Sequence, residues 1–187
     1  GLWNNALFMV TPDDFIVSLD AKTGKERWNK EFAPFTQQYF STIAPMVIGN
    51  TVIVGTGNDL DSPGYLQAYD TDTGKELWRF YTVPQNAGDP GVGVGVILRR
   101  PERLPGVYDP ETNLYIFGTG NPIPAYTLGR GEGDNLFTCA LIAVDVATGK
   151  MKWYFQTSPH DTHDWDSAQT PVLFEGTVGG KKRKLVA

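Results

Sequence analysis

Short runs in which apolar and polar residues alternate recur along the chain, and turn-forming residues separate them. Residues 15–20 (FIVSLD) and 65–70 (YLQAYD) are two such runs, and residues 51–54 (TVIV) add a third that is rich in β-branched side chains. Alternation with a period of two is typical of half-buried β-strands. The 21 glycines and 13 prolines, together with 12% aromatic residues, fit a fold with many turns. The pattern therefore predicts an all-β protein.

An eleven-residue pattern occurs three times, at residues 18–28 (SLDAKTGKERW), 68–78 (AYDTDTGKELW) and 143–153 (AVDVATGKMKW). In each copy an aspartate is followed three residues later by Thr-Gly-Lys and eight residues later by tryptophan. The aspartate can accept backbone hydrogen bonds, and the glycine can adopt the positive φ that a tight turn needs. Each copy therefore predicts a β-hairpin that delivers a tryptophan to a fixed place.

Three similar hairpins predict structural units that stack against one another. An isolated hairpin is only marginally stable in water. Starts that lie 50 and 75 residues apart fit the blades of a propeller or the turns of a solenoid. Three unrelated hairpins are the alternative, which a match over eleven positions disfavours. We expect a partial β-propeller of about three to four four-stranded blades, with residues 1–187 forming one domain.

Composition and charge exclude two classes of partner. The formal net charge is −5 and the isoelectric point is about 5.0, which argues against nucleic acid. The sequence contains no run of eighteen apolar residues, so no membrane span is predicted. The single cysteine, Cys139, is expected to be a buried strand residue. Residues 176–184, which include the basic residues 181–184, are expected to form a solvated hairpin turn.

Three polar loops that follow predicted strands carry candidate metal ligands. Asn58 and Asp59 lie in the first loop, Asn121 in the second, and Asp164 and Asp166 in the third. The loops at one end of a propeller converge, so these residues can meet despite their separation in sequence. Carboxylate and amide oxygens suit calcium or another hard cation better than zinc or copper. The sequence therefore predicts a hard-cation site.

Other roles for these residues are open from the residue types alone. Aspartate and asparagine in glycine-rich loops are commonly turn formers. His160 and His163, which have aspartates around them, are compatible with a zinc site. His160 is also compatible with a purely structural hydrogen bond.

The eleven-residue repeat resembles the tryptophan-docking motif of the quinoprotein, or pyrroloquinoline quinone (PQQ)-dependent, methanol and ethanol dehydrogenases. The resemblance runs from about residue 5 to residue 186. It implies a fragment of a propeller of eight four-stranded blades, in which the docking tryptophan of each blade packs against its neighbour. It also implies PQQ as cofactor, with a metal ion beside it.

The resemblance assigns roles to individual residues in the polar loops. Asp59 falls where the family has a metal-binding glutamate, and Asn121, in GTGNP, matches its metal-binding asparagine. Asp164, in HDTHDWD, matches the aspartate that is both the catalytic base and a metal ligand. Asp166 resembles the aspartate of members that use a lanthanide(III) ion in place of Ca²⁺.

The resemblance also implies contacts with the cofactor. Thr42 matches a threonine that hydrogen-bonds the quinone, and Thr56, Gly57 and Asn58 fall where further cofactor contacts lie. Residues 91–105 (GVGVGVILRRPERLP) match nothing in the family, and a tryptophan that the family has in this interval is absent.

The implied activity is oxidation of a small primary alcohol to an aldehyde, in the periplasm, with a cytochrome c as electron acceptor. The chain reads as the central part of such an enzyme and is expected to be inactive alone. A non-enzymatic propeller with the same repeats, acting as a binding or assembly scaffold, is the alternative. The asparagine and aspartates in the loops favour the enzyme, because the scaffold relatives lack them.

Overall fold

The structure is a computed structural model that describes residues 1–57, 62–86, 88–89, 105–126, 130 and 132–187, and the backbone of residues 98–99. Three four-stranded antiparallel sheets follow one another along the chain. Numbered in chain order, their strands are β1 (Leu2–Trp3), β2 (Ala6–Val10), β3 (Phe15–Asp20) and β4 (Glu26–Glu31); β5 (Met46–Ile48), β6 (Thr51–Thr56), β7 (Tyr65–Asp70) and β8 (Glu76–Tyr81); and β10 (Val107–Asp109), β11 (Leu114–Gly118), β13 (Ala140–Asp145) and β14 (Met151–Gln156).

Two smaller sheets complete the described strands. The first pairs β9 (Leu98–Arg99), which precedes the third sheet in the chain, with β12 (Pro122–Ile123), which lies between β11 and β13. The second is the hairpin of β15 (Leu173–Val178) and β16 (Lys181–Val186), which follows the third sheet. A single turn of 3₁₀-helix, Phe35–Gln37, precedes the second sheet. Among the described residues, no helix is long and apolar enough to cross a membrane.

The three repeats form the turns between the third and fourth strand of each sheet, as predicted. In the first turn, one oxygen of Asp20 accepts hydrogen bonds from the backbone N–H of Thr23 at 2.7 Å and from its hydroxyl at 2.8 Å. Asp70 and Asp145 make the same pair of bonds to Thr73 and Thr148. These bonds favour the ionised carboxylate and lower the pKa of all three aspartates.

The repeat tryptophans join one sheet to the next. The indole N–H of Trp28 donates to the carbonyl of Thr71 at 3.0 Å, and that of Trp78 donates to the carbonyl of Val146 at 2.8 Å. Each indole lies flat over the repeat glycine of the following sheet, so that a Cβ on Gly74 would lie 2.8 Å from Trp28 and one on Gly149 2.5 Å from Trp78. These positions require glycine for two reasons: the backbone has a positive φ, and the indole leaves no room for a side chain.

The third repeat tryptophan, Trp153, packs against the last hairpin. Leu173 and Val186 of that hairpin share an apolar cluster with it. The hairpin is also held by Lys184, whose ammonium lies 2.5 Å from Asp109 and 2.9 Å from Glu111. The hairpin predicted at residues 176–184 is present, and residues 181–184 are exposed, but the turn itself is confined to Gly179 and Gly180 and the basic residues form β16.

In each four-stranded sheet, every connection between strands lies at one of the two ends of the sheet. In an antiparallel meander of four strands, the link between the second and third strands lies at the same end as the link that leaves the fourth. The docking turns link the third strand to the fourth, so they lie at the opposite end. Among the described candidates, Asn121 follows a second strand and Asp164 and Asp166 follow a fourth strand, so these three residues lie at the end away from the docking turns.

We expect Gly74→Ala to destabilise the protein more than Gly24→Ala. Both glycines have positive φ, +65° and +71°, so both variants carry the same backbone strain of about 1–2 kcal/mol. Only Gly74 has an indole above it, whereas a Cβ on Gly24 meets nothing within 4 Å. The collision with Trp28 adds roughly 1–3 kcal/mol of overpacking. Urea unfolding of the two variants measures the difference, and equal losses of stability would show that the indole contact contributes nothing.

Candidate functional site

Asn121 and Asp166 meet at the end of the third sheet. The backbone N–H of Asn121 donates to Oδ1 of Asp166 at 2.9 Å. The side-chain amide of Asn121 donates to the carbonyl of Pro122 at 3.0 Å, and this bond fixes the direction of the amide. Its oxygen is left fully buried without a hydrogen-bond partner. The structure thus brings together two of the residues that the sequence singled out, 45 positions apart.

The turn that carries Asp164 and Asp166 is shaped by a residue that the sequence did not single out. The buried carboxylate of Asp161 accepts the backbone N–H of His163 at 3.0 Å with one oxygen and that of Trp165 at 3.0 Å with the other. Arg130 donates to the carbonyl of Asp161 from a buried position. Asp164 then adopts a positive φ of 63°, which is costly for a non-glycine residue and needs such support.

A glycine lets this turn approach the third sheet closely. A Cβ on Gly118, at the end of β11, would lie 1.8 Å from the carbonyl oxygen of Ser167. The backbone N–H of Ser167 donates to Thr119 at 3.2 Å. Any side chain at position 118 would push the turn away and separate Asp166 from Asn121.

Tyr126 is a second contact that the sequence did not indicate. Its hydroxyl donates to Oδ2 of Asp164 at 3.2 Å, across 38 residues of sequence. The tyrosine ring is largely exposed. The loop at residues 121–126 therefore contacts both aspartates of the later turn.

The predicted cofactor residues of the second sheet form another group. Two hydrogen bonds bring the segment of Thr42 alongside the end of β6. The backbone N–H of Phe40 donates to the carbonyl of Gly57 at 3.1 Å, and the hydroxyl of Ser41 donates to the carbonyl of Gly55 at 2.8 Å. Thr42 is exposed and Thr56 is fully buried. Asn58 and Asp59 lie outside the described residues.

Asp14 is a buried carboxyl at the same end of the first sheet. It lies in the turn between β2 and β3, with no exposed surface, and one of its oxygens accepts the Thr56 hydroxyl at 3.2 Å. The other oxygen has no hydrogen-bond partner. Burial, opposed by the bond from Thr56 and assisted by the negative charges of Asp13 and Glu31, raises the pKa of Asp14 to about 7. The sequence did not single out Asp14 as a functional residue.

The donor atoms fit a hard cation. A buried amide oxygen with no donor is costly, and a cation beside it would offset that cost. Asp166 supplies an adjacent carboxylate and Asp164 a second one in the same turn. In the part of the chain that the structure describes, no three His, Cys, Asp or Glu side chains cluster tightly enough to hold a metal by themselves. A zinc site on His160 and His163 therefore has no support there.

The sheets and their docking tryptophans define a β-propeller, and comparisons with known proteins identify its family. The family described as PQQ: glucose/ethanol/alcohol dehydrogenase, β-propeller domain, matches residues 30–187. The solved quinohemoprotein alcohol dehydrogenase ADHIIG from Pseudomonas putida HK5 superposes with a TM-score of 0.88 and 32% identity, over 99% of this chain and 30% of that one.

Two curated relatives align over nearly the whole chain. Quinohemoprotein alcohol dehydrogenase ADH IIB of Pseudomonas putida is 36% identical, over 99% of this chain and 29% of its own length. Lanthanide-dependent methanol dehydrogenase of Methylacidiphilum fumariolicum is 34% identical, over 96% of this chain and 33% of its own length. The chain thus spans about a third of the length of these relatives.

The chain belongs to the PQQ-type glucose/ethanol/alcohol dehydrogenase β-propeller family. The predicted all-β fold and partial propeller are confirmed. The family resemblance drawn from the repeat is confirmed as well. Most of residues 91–105, which matched nothing in the family pattern, lies outside the described residues.

We expect Asp14→Asn to remove one pH dependence of stability. The ordinary pKa of this carboxyl is 3.8 and its pKa in the folded protein is about 7, so as pH rises the unfolded chain loses the proton first. The free energy of unfolding of the parent protein therefore falls between about pH 4 and pH 7 and stays lower above that window. The amide variant is neutral throughout and should be more stable above pH 7 by about 1–3 kcal/mol.

The measurement is urea unfolding at half-unit steps from pH 4 to pH 9. Asp13→Asn is the matched control, because Asp13 is the exposed neighbour of Asp14 in the same turn. The control should keep the fall in stability. If Asp14→Asn follows the parent curve across the whole range, the buried carboxyl does not titrate near neutral pH.

Proposed function

We propose that residues 1–187 form one partial propeller domain of a PQQ-dependent alcohol dehydrogenase that oxidises a small primary alcohol to an aldehyde. The observation that carries the proposal is the buried amide oxygen of Asn121, which has no hydrogen-bond partner, in a residue whose backbone N–H binds the carboxylate of Asp166. A buried amide oxygen without a donor is costly, and a cation beside it would offset that cost. The relatives are alcohol and methanol dehydrogenases that carry the same fold.

The metal would be held by Asn121, Asp164 and Asp166, with Asp59 as a further carboxylate. Three carboxylates around one ion suit a lanthanide(III) better than Ca²⁺, because a trivalent ion offsets more of their mutual repulsion. The lanthanide dependence of the Methylacidiphilum relative supports this choice. Thr42, Thr56, Gly57 and Asn58 would contact the cofactor.

Bound at this site, PQQ would supply the hydride-accepting group for oxidation of the alcohol carbon, and the metal held by Asn121, Asp164 and Asp166 would supply Lewis acidity. Asp164 takes the hydroxyl proton of the alcohol as general base. The Tyr126 hydroxyl donates to Oδ2 of Asp164 at 3.2 Å. This bond orients the carboxylate of the base before substrate arrives.

We further propose a periplasmic location and a cytochrome c as electron acceptor, in keeping with the type of enzyme. The quinohemoprotein relatives, which by name carry a haem as well as a quinone, support transfer of electrons to haem iron. The chain alone is expected to be inactive, because it spans about a third of these enzymes.

The test is a titration of PQQ into the metal-stripped protein in the presence of Ca²⁺ or La³⁺, followed by quenching of tryptophan fluorescence. We expect metal-dependent quenching that Asp164→Ala weakens at least tenfold with either ion, the loss typical of removing one ligand group from a metal site. Asp166→Ala should weaken binding more with La³⁺ than with Ca²⁺, because the lost charge interacts more strongly with a trivalent ion.

Asp72→Ala is the control for these variants. Asp72 is an exposed aspartate at the opposite, docking end of its sheet, and its carboxylate pairs there with Arg27 at 3.2 Å. It should bind like the parent. Absence of quenching with either ion would contradict the proposal and favour a non-enzymatic scaffold.

A further inference from the structure

We propose that Cys139 is a positioning residue that ties the Asn121 loop to the turn carrying Asp164 and Asp166. The inference rests on the proposed function, since it concerns the geometry of that metal site. Cys139 is fully buried and immediately precedes β13, beneath both segments.

Two hydrogen bonds run from Cys139 to the two segments. Its backbone N–H donates to the carbonyl of Gly120, the residue before Asn121, at 3.0 Å. Its thiol donates to the carbonyl of Trp165, the residue between the two aspartates. One residue therefore contacts the backbone of both ligand-bearing segments, each within one position of a proposed ligand.

The direction of the thiol is fixed by the backbone of Cys139 itself. Its carbonyl accepts both the backbone N–H and the hydroxyl of Thr157, at 2.8 and 2.7 Å. Its φ is +46°, a conformation that is costly for a non-glycine residue and persists only where the surroundings impose it. The side chain therefore leaves the backbone at one angle, toward Trp165.

The thiol completes the support of the peptide groups around Trp165. Asp161 accepts the N–H of Trp165, which belongs to the peptide shared with Asp164. Cys139 donates to the carbonyl of Trp165, which belongs to the peptide shared with Asp166. Each of the two aspartates thus adjoins a peptide plane that is held by one buried side chain. If the thiol bond is lost, the second plane can rotate and carry the Asp166 carboxylate away from Asn121.

Two substitutions of Cys139 distinguish a positioning role from a packing role. Cys139→Ser keeps a donor of similar size at the same place, and Cys139→Ala removes the donor while changing the volume by a similar small amount. A packing role predicts equal effects of the two variants. A positioning role predicts that serine restores what alanine loses.

The first measurement is affinity of the full chain for terbium(III), read by tryptophan-sensitised luminescence. We expect Cys139→Ala to weaken binding about tenfold or more, as losses of residues that orient metal ligands commonly do. Cys139→Ser should stay within about threefold of the parent. Ser18→Ala is the control, since the Ser18 hydroxyl is buried in β3 without a hydrogen-bond partner. Equal weakening by the serine and alanine variants, or parental affinity of the alanine variant, would overturn the proposal.

The second measurement is amide hydrogen exchange of the metal-free protein, which separates this inference from the proposed function. Cys139→Ala should speed exchange at residues 119–121 and at residues 163–167 together, while Cys139→Ser leaves both protected. If the parent binds no terbium, the proposed function fails, and the exchange data still decide whether Cys139 ties the two segments. Unchanged protection in the alanine variant would refute the tie.

Discussion

The contact between a tryptophan of one sheet and the repeat glycine of the next is the interaction on which the other features of this chain depend. A four-stranded sheet has apolar side chains on both faces, so it needs neighbours on both sides. The indole of Trp78 covers Gly149 and bonds to Val146 beyond it, which fixes distance and rotation between the second and third sheets. This contact therefore also sets the relative positions of the loops at the ends of those sheets away from the docking turns.

The sequence predicted the features that local chemistry determines. The Asp-x-x-Thr-Gly turn is complete within eleven residues, so its hydrogen bonds and its positive φ follow from residue types alone. The role of Gly74 as a platform for Trp28 is a contact between separate sheets, and only the repetition of the pattern suggested it. The exposed basic run at residues 181–184 was predicted to be part of a turn and forms β16 instead. The pairing of Lys184 with Asp109, 75 residues earlier, has no local signal in the sequence.

The candidate site also contains residues that the sequence predicted and residues that it missed. Asn121 and the two later aspartates were predicted from loop composition and family resemblance, and the bond between Asn121 and Asp166 joins them in the structure. Asp161 and Cys139 were missed as contributors, because their importance lies in backbone groups of other segments that they bind. Asp14 was missed because its burial depends on the neighbouring sheet. A predicted site therefore names the groups that contact a ligand far more readily than those that hold them in place.

The separation of the docking turns from the polar loops has a consequence for how such a protein can change over time. The indole–glycine contacts hold the sheets together at one end, and the polar loops at the other end take no part in those contacts. Loop length and composition can therefore vary without disturbing the packing of the sheets. The same division suits the molecule to loop grafting, provided that a grafted segment keeps Asn121 and Tyr126, which contact Asp166 and Asp164.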